Sequence, residues 1–274
     1  MSRARDPREQ HRGRGRRRAE LDDPIWMRPE PTGRRAPRSR GDIAEAAVAV
    51  ADADGLDAVS MRRVASELGL GTMSLYHYVR SKDELLDLMG DRIAGGQLVD
   101  EADLRRGWRE GLTAIAQATR ANLKRHPWMG GALSLRPSAI PGPNTLRHID
   151  QSLAAVADLG LDVPAQMEII AVVDDYVIGF VVRSQRVAEY ENELDDDTVA
   201  EWMEAAFGHL RSQIESGAFP HLHGAMQANR ATGGEDEDLG RMASSEERFE
   251  RGLELLLDGI EAKFARPVKR RHGR

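Results

Sequence analysis

Ser60-Met61-Arg62-Arg63-Val64-Ala65-Ser66-Glu67-Leu68-Gly69-Leu70-Gly71-Thr72-Met73-Ser74-Leu75-Tyr76-His77-Tyr78-Val79 is the stretch whose reading decides the fold. Ser60 stands where a helix N-cap belongs, and Val64, Ala65 and Leu68 then share one face at helical spacing. Gly69-Leu70-Gly71 breaks that helix into a tight turn. Thr72 is placed to cap a short second helix whose Leu75 and Val79, four apart, face inward. Thr72, Met73, Ser74, Tyr76 and His77 are left to point outward. Two short helices joined by a glycine turn and packed on a third form the smallest reader of a DNA major groove. Hydroxyls there suit phosphate or base edges, and a Met or Thr methyl suits the thymine methyl. Arg62 and Arg63 at the start of one helix, and Lys82 at the start of the next, are placed to reach flanking phosphates.

Outward from this core the pattern stays helical. A preceding helix aligns Ile43, Ala47, Val48 and Ala51 and ends at Asp54-Gly55. Ser81-Lys82-Asp83-Glu84 fits a capping box opening a helix through Leu85, Leu88, Met89 and Ile93. Gly95-Gly96 marks a domain seam, and longer helices are expected near 101–125, 145–159, 164–188, 196–216 and 244–265. Pro141-Gly142-Pro143-Asn144 is a break with Asn144 as N-cap, and 230–243 is a loop. No convincing strand or internal repeat appears, so the expectation is an all-α chain. Its parts are a disordered basic arm at 1–38, a helix-turn-helix domain at 39–94, a helical body at 95–266 and a basic tail at 267–274.

The net charge of −6 conceals an asymmetry. Residues 1–40 hold 13 Arg against 6 acids, whereas 41–92 hold ten acids against five bases. An acidic reader is poorly suited to a polyanion. Arg34, Arg35, Arg38 and Arg40, just ahead of the first helix, offer the compensating cations and suit an adjacent minor groove. Cysteine is absent, which excludes disulfides and thiolate sites. No apolar run reaches the roughly 18–20 residues of a membrane span, and the Arg-rich start has no apolar segment behind it, so a cytoplasmic chain is expected.

The run Val59-Ser60-Met61-Arg62-Arg63-Val64-Ala65 through Leu75-Tyr76-His77-Tyr78-Val79 to Ser81-Lys82-Asp83-Glu84-Leu85 resembles the signature of TetR-family transcriptional regulators. His126-Pro127-Trp128, Gly142-Pro143-Asn144 and the closing Phe249 to Ile260 stretch are similar to the branch that includes the tetracycline repressor. The resemblance implies a repressor that binds a palindromic double-stranded operator as a homodimer and is released by a small-molecule effector, with no cofactor. It places Arg62, Thr72, Met73, Ser74, Tyr76, His77, Tyr78 and Lys82 at DNA-contacting positions. Tyr76 and Lys82 would grip the backbone, and Thr72, Met73, Ser74 and His77 would choose the sequence.

It also implies a body that dimerises through two late helices around an effector pocket. The 164–188 helix is apolar nearly all round, and the last helix carries an apolar stripe. Val173, Val177, Val181, Phe249, Leu253, Leu256 and Ile260 are the expected dimer residues. Trp108, Trp128, Met129, Arg136, Met167, Asp174, Tyr176, Phe180, Trp202 and Phe207 are the candidate lining of a largely apolar ligand site. Where the tetracycline repressor has a metal-binding His, this chain has Ala132, so metal is not implied and the effector stays open. Two rivals remain: a regulator answering to a partner protein, and an all-α enzyme. For the latter no nucleophile elbow, phosphate loop or helical metal motif is present, and His221-Leu222-His223 on a loop is at most a weak metal pair.

Overall fold

The computed structural model describes residues 23–31, 38–130, 140–192, 196–232 and 246–264. Arg34, Arg35, Ala132, Arg136 and the 267–274 tail lie outside them. The described residues form helices and contain no strand. The chain divides into two compact units: residues up to Gly95 together with Gly131–Leu146, and Gly96–Gly130 together with Arg147 onward.

In the first unit, α1 (Arg40–Asp54) opens on a reciprocal capping box: Asp42 N–H donates to Ser39 Oγ (3.0 Å), and Ser39 N–H donates to Asp42 Oδ2 (2.7 Å). Those hydrogen bonds, led by the Ser39 backbone N–H, hold the Asp42 carboxyl below the usual range. The helix ends at Gly55, whose φ of 82° is one that glycine adopts without strain. α2 (Met61–Glu67) is capped by Ser60 through Arg63 N–H (3.2 Å) and buries Met61, Val64 and Ala65. Gly69 turns the chain at φ 67° into α3 (Thr72–Leu75). Thr72 is not that helix's cap: Gly71 holds the position, with no side-chain bond. α4 (Lys82–Ala94) is capped by Ser81, which accepts from Glu84 N–H, and buries Leu85, Leu88, Met89 and Ile93 against α1. The reciprocal half of this box lies elsewhere, because Glu84 accepts instead from Arg80 N–H (2.7 Å).

The expectation of a disordered arm fails for its later part. Ile25-Trp26-Met27 forms a 3-10 turn with Ile25 fully buried, and residues 23–31 are built into this unit as a strap. Arg28 pairs with Glu84 at 2.5 Å, both side chains largely enclosed. Arg40 donates to the carbonyls of Ile25 and Arg28 (both 2.9 Å) and of Pro29 (3.3 Å), while Glu30 accepts from Arg40 N–H.

The second unit holds α5 (Glu101–Leu104), α6 (Trp108–Arg125), most of α7 (Pro143–Val156), α8 (Val163–Asn192), α9 (Asp196–Glu215), α10 (Pro220–Ala231) and α11 (Glu246–Phe264). The single helix expected at 101–125 is two, split at Gly107 with φ 122°. α10 stands where a loop was expected for His221 and His223. α6 and α11 both pack on α8, with Phe180 and Phe249 edge-on at 5.2 Å. Gly111 lets α6 close on Ala155 of α7.

Gln151, a buried polar side chain of this core, is satisfied by backbone groups distant in sequence. Gln151 accepts from Val99 N–H (3.0 Å) and donates to the Gln97 carbonyl (3.2 Å). His148 beside it is held below the ordinary histidine pKa by burial.

Candidate nucleic-acid interface

Leu75 is the anchor of the reading head: it is the fully buried side chain of α3, with Met73 and Ser74 left exposed. Met73 is 77% exposed and Tyr76 43%, with Ser74 and His77 exposed beside them and Thr72 half-buried. Arg62 on α2 and Lys82 on α4 are exposed, and among the described residues neither is held in an ion pair. Arg63 is also exposed, but Asp54 (3.2 Å) and Glu67 (3.9 Å) flank its guanidinium. Seven of the expected DNA residues are therefore accessible, Thr72 in part.

Three do not behave as expected. Tyr78 is 2% exposed; it lies one turn after Leu75 on the same inner face, and Arg38 N–H donates to its hydroxyl (3.4 Å). No part of its ring is available to a base. Arg40 is committed to the strap carbonyls, and burial, then the neighbouring Arg28, lowers its pKa. Its guanidinium is a structural pin and does not reach a minor groove. Arg38 is exposed, yet its guanidinium donates to the Leu68 carbonyl at the end of α2 (3.3 Å), where it supports the helix-turn-helix turn.

Residues 43–89 match the family described as "Bacterial regulatory proteins, tetR family", and residues 102–264 match "Tetracyclin repressor-like, C-terminal domain". This chain belongs to the TetR family. It is a helix-turn-helix transcriptional regulator and not an enzyme. It is 39% identical to the HTH-type transcriptional repressor DrrR1 of Streptomyces coeruleorubidus, over 81% of this chain and 77% of that protein. An HTH-type transcriptional regulator of Saccharopolyspora erythraea is 32% identical over 87% of this chain and 91% of its own. Among solved structures, ActR of Streptomyces coelicolor in complex with actinorhodin superposes with a TM-score of 0.63 at 26% identity, over 83% of this chain and 97% of that one.

In this TetR-family chain the candidate ligand residues are scattered. Tyr176 and Phe180 lie together on α8 at 6.2 Å, with Phe249 of α11 stacked on Tyr176 at 5.5 Å. The Tyr176 hydroxyl donates to the Phe249 carbonyl (2.7 Å). Trp128 and the buried Met129 follow α6, with Trp128 edge-on to His126. Trp108 and Phe207 are half-buried, whereas Met167 and Trp202 are exposed. Asp174 is largely enclosed; burial, then Asp175, pushes its carboxyl up to about 6. A groove of about 320 Å³ among the described residues lies elsewhere, lined by Asp103, Arg106, Arg109, Glu110, Thr113, Ala114 and Gln117.

The residues missed are polar ones inside α6. Arg120 is buried with its guanidinium 4.2 Å over the Phe249 ring and its charge met by Glu246. Among the described residues, Thr119 Oγ1 and Arg120 Nε are buried without a hydrogen-bond partner. The signal was present: Thr119 follows Leu112, Ile115 and Ala116 at helical spacing, a polar side chain on the buried stripe.

The expected dimer residues are corrected as well. Val173, Val177, Val181, Phe249, Leu253 and Ile260 are buried within the single chain, and Leu256 is half-buried, because the facing sides of α8 and α11 pack on each other. The faces left open are turned away from them: Val172 (41% exposed) and Gly179 on α8, Leu255 (73% exposed) and Gly259 on α11. No helix of the described residues is long and apolar enough to cross a membrane.

Proposed function

We propose that the chain is a repressor that binds a pseudo-palindromic operator as a homodimer and is released by a small-molecule effector held in the second unit. The observation that carries the DNA reading is the open face of α3, with Met73, Ser74, Tyr76 and His77 around a buried Leu75, and with Arg62 and Lys82 exposed and in no ion pair among the described residues. Met73, Ser74 and His77 are assigned to base edges, with Thr72 at the margin, and Tyr76, Lys82 and Arg62 to phosphates. The dimer contact is assigned to the open faces of α8 and α11 around Val172, Gly179, Leu255 and Gly259. An added Cβ at either glycine meets nothing within 4 Å, which leaves space for a second copy's helices to approach. A two-fold dimer puts one α3 into each half-site, about 34–36 Å or a multiple of it apart. An effector is supported by the structural likeness to ActR, which has been solved with actinorhodin. Tyr176 and Phe180 are the aromatic candidates to meet it.

The test is fluorescence anisotropy on the DNA upstream of the chain's own gene, titrated at several salt concentrations. Tyr76→Ala with Lys82→Ala should abolish tight binding and flatten the salt slope by about one for each phosphate no longer gripped. Sequence-specific binding that is absent in the native chain, or that survives the double substitution, refutes the reading.

A further inference from the structure

The first turn of α4 holds charges of both signs. Lys82 opens the helix, and Asp83 and Glu84 follow it in the same turn. The N–H groups and positive dipole end of such a turn attract an anion. A carboxylate of the chain's own competes with a phosphate for that attraction and repels it. In a head with ten acids against five bases over 41–92, an uncancelled anion two residues from Lys82 works against the phosphate grip.

Glu84 is not left in that state. Its Oε2 accepts from the Arg28 guanidinium at 2.5 Å and from Arg80 N–H at 2.7 Å, and both side chains of the Arg28–Glu84 pair are only 12% exposed. Arg28 comes from the strap, 56 residues back in sequence. Its carbonyl and that of Ile25 accept from Arg40 Nη1, both at 2.9 Å, so the strap is fixed where the Arg28 side chain leaves it. Arg28 Nε is buried with no hydrogen-bond partner among the described residues, and Glu84 is the group its charge meets. Arg40 feels the same cluster: burial, then Arg28, lower its pKa, while Glu30 and Glu84 raise it. A stretch ahead of the family match at 43–89 thus sets a cation against a carboxylate of the reading head's neighbour helix.

We propose that Arg28 is a positioning residue for the phosphate grip of Lys82: by holding and neutralising Glu84, it keeps an anion of the first turn of α4 from opposing the operator backbone. Arg28 does not itself touch the DNA. This rests on the DNA-binding function above. Neutralisation and mere holding have opposite signatures at Glu84. Where neutralisation matters, removing the Glu84 charge strengthens binding, because Arg28 is then left as an added cation. Where Arg28 only holds the strap in place, removing its partner's charge weakens binding. Gln at position 84 keeps an acceptor for Arg80 N–H, so the comparison isolates the charge.

Fluorescence anisotropy with the full chain, on the operator duplex and on a random-sequence duplex between about 50 and 200 mM salt, tests this. At the low end Arg28→Met should weaken binding by about fivefold for each half-site, and Arg28→Lys by less. The deficit should shrink as salt rises, because screening shortens the reach of the freed carboxylate. Glu84→Gln should bind about twofold or more tighter than the native chain, and Arg28→Met with Glu84→Gln should recover most of the loss. Should Arg28→Met melt below the assay temperature, Glu84→Gln alone decides. A deficit that salt leaves unchanged, a double variant as weak as Arg28→Met, or a Glu84→Gln chain that binds no tighter than the native one overturns the proposal. Phosphates carry no sequence information, so the same order must appear on the random duplex. A native chain that binds both duplexes equally refutes the sequence-specific reading instead, and the order of the variants on random DNA then decides Arg28. A native chain that binds neither duplex overturns both.

Discussion

Replacing Asp174 by Asn should stabilise the protein at neutral pH and do little at pH 4. The carboxyl sits on α8 largely enclosed, and among the described residues no hydrogen bond reaches it. Burial and then the adjacent Asp175 push it up to about 6, from an ordinary value near 3.8. The sign follows from where the proton binds better. The folded chain holds it more tightly than the unfolded chain, so the stability it confers is complete below the unfolded pKa and is lost as pH rises through about 6. Moving a carboxyl from 3.8 to about 6 corresponds to about 3 kcal/mol. Residual solvent access reduces this to about 2 kcal/mol. The amide in its place carries no charge at any pH and escapes the loss. Urea unfolding of both proteins at one fixed concentration, from pH 4.5 to 7.5, measures the difference. It should widen by about 2 kcal/mol up to pH 7 and then level off. Asp175→Asn should move the same step to lower pH, because the second cause of the rise is removed. Stability curves that run parallel across the range, or converge as pH rises, would show that Asp174 is solvated or paired in the folded protein and refute the reasoning.

Two further outcomes follow from positions the structure reassigns. Arg40→Met should destabilise the fold by about 2 kcal/mol through the loss of three charge-assisted hydrogen bonds, seen as a lower melting temperature, without changing the salt slope of DNA binding. A flattened slope with an unchanged melting temperature would return Arg40 to the DNA. Leu255→Glu should convert a dimer to a folded monomer in light scattering, with unchanged helical circular dichroism; a variant that stays dimeric places the contact elsewhere.

Where the determinants are local, the sequence was enough. Ser60, Ser81, Gly55 and Gly69 mark helix ends because caps and positive-φ turns are settled within a few residues, and each stands where the pattern put it. Leu75 and Val79 were equally readable from spacing. Tyr78 was readable too: three residues after Leu75 it must share the inner face, and the family resemblance displaced that simpler inference. The strap was hidden because its apolar content is three residues, Ile25-Trp26-Met27, inside a stretch whose composition argues for disorder. What orders it is a set of long-range partners at Glu84, Arg40 and Ile140 that no local window contains. The dimer stripe failed for a different reason. Periodicity reports that a helix face is apolar, not whether its own chain or a second copy covers it, and α8 and α11 spend that face on each other.

These corrections change where the reader's affinity has to come from. Residues 41–92 carry five more acids than bases, Arg40 is bound to carbonyls, and Asp54 and Glu67 flank Arg63. A cation already met by a carboxylate releases fewer counterions on reaching a phosphate. Among the described residues of the reading head, Arg62 and Lys82 are exposed and in no ion pair, while the exposed Arg38 is tied to the Leu68 carbonyl. On the proposed reading, discrimination falls on the exposed side chains of α3, with Leu75 and Tyr78 buried beneath them. A reader of this kind depends on the rigidity of its mount, and that rigidity is what Arg28, Arg40 and Glu84 supply: they use in the scaffold two of the arginines that composition alone would have sent to the DNA.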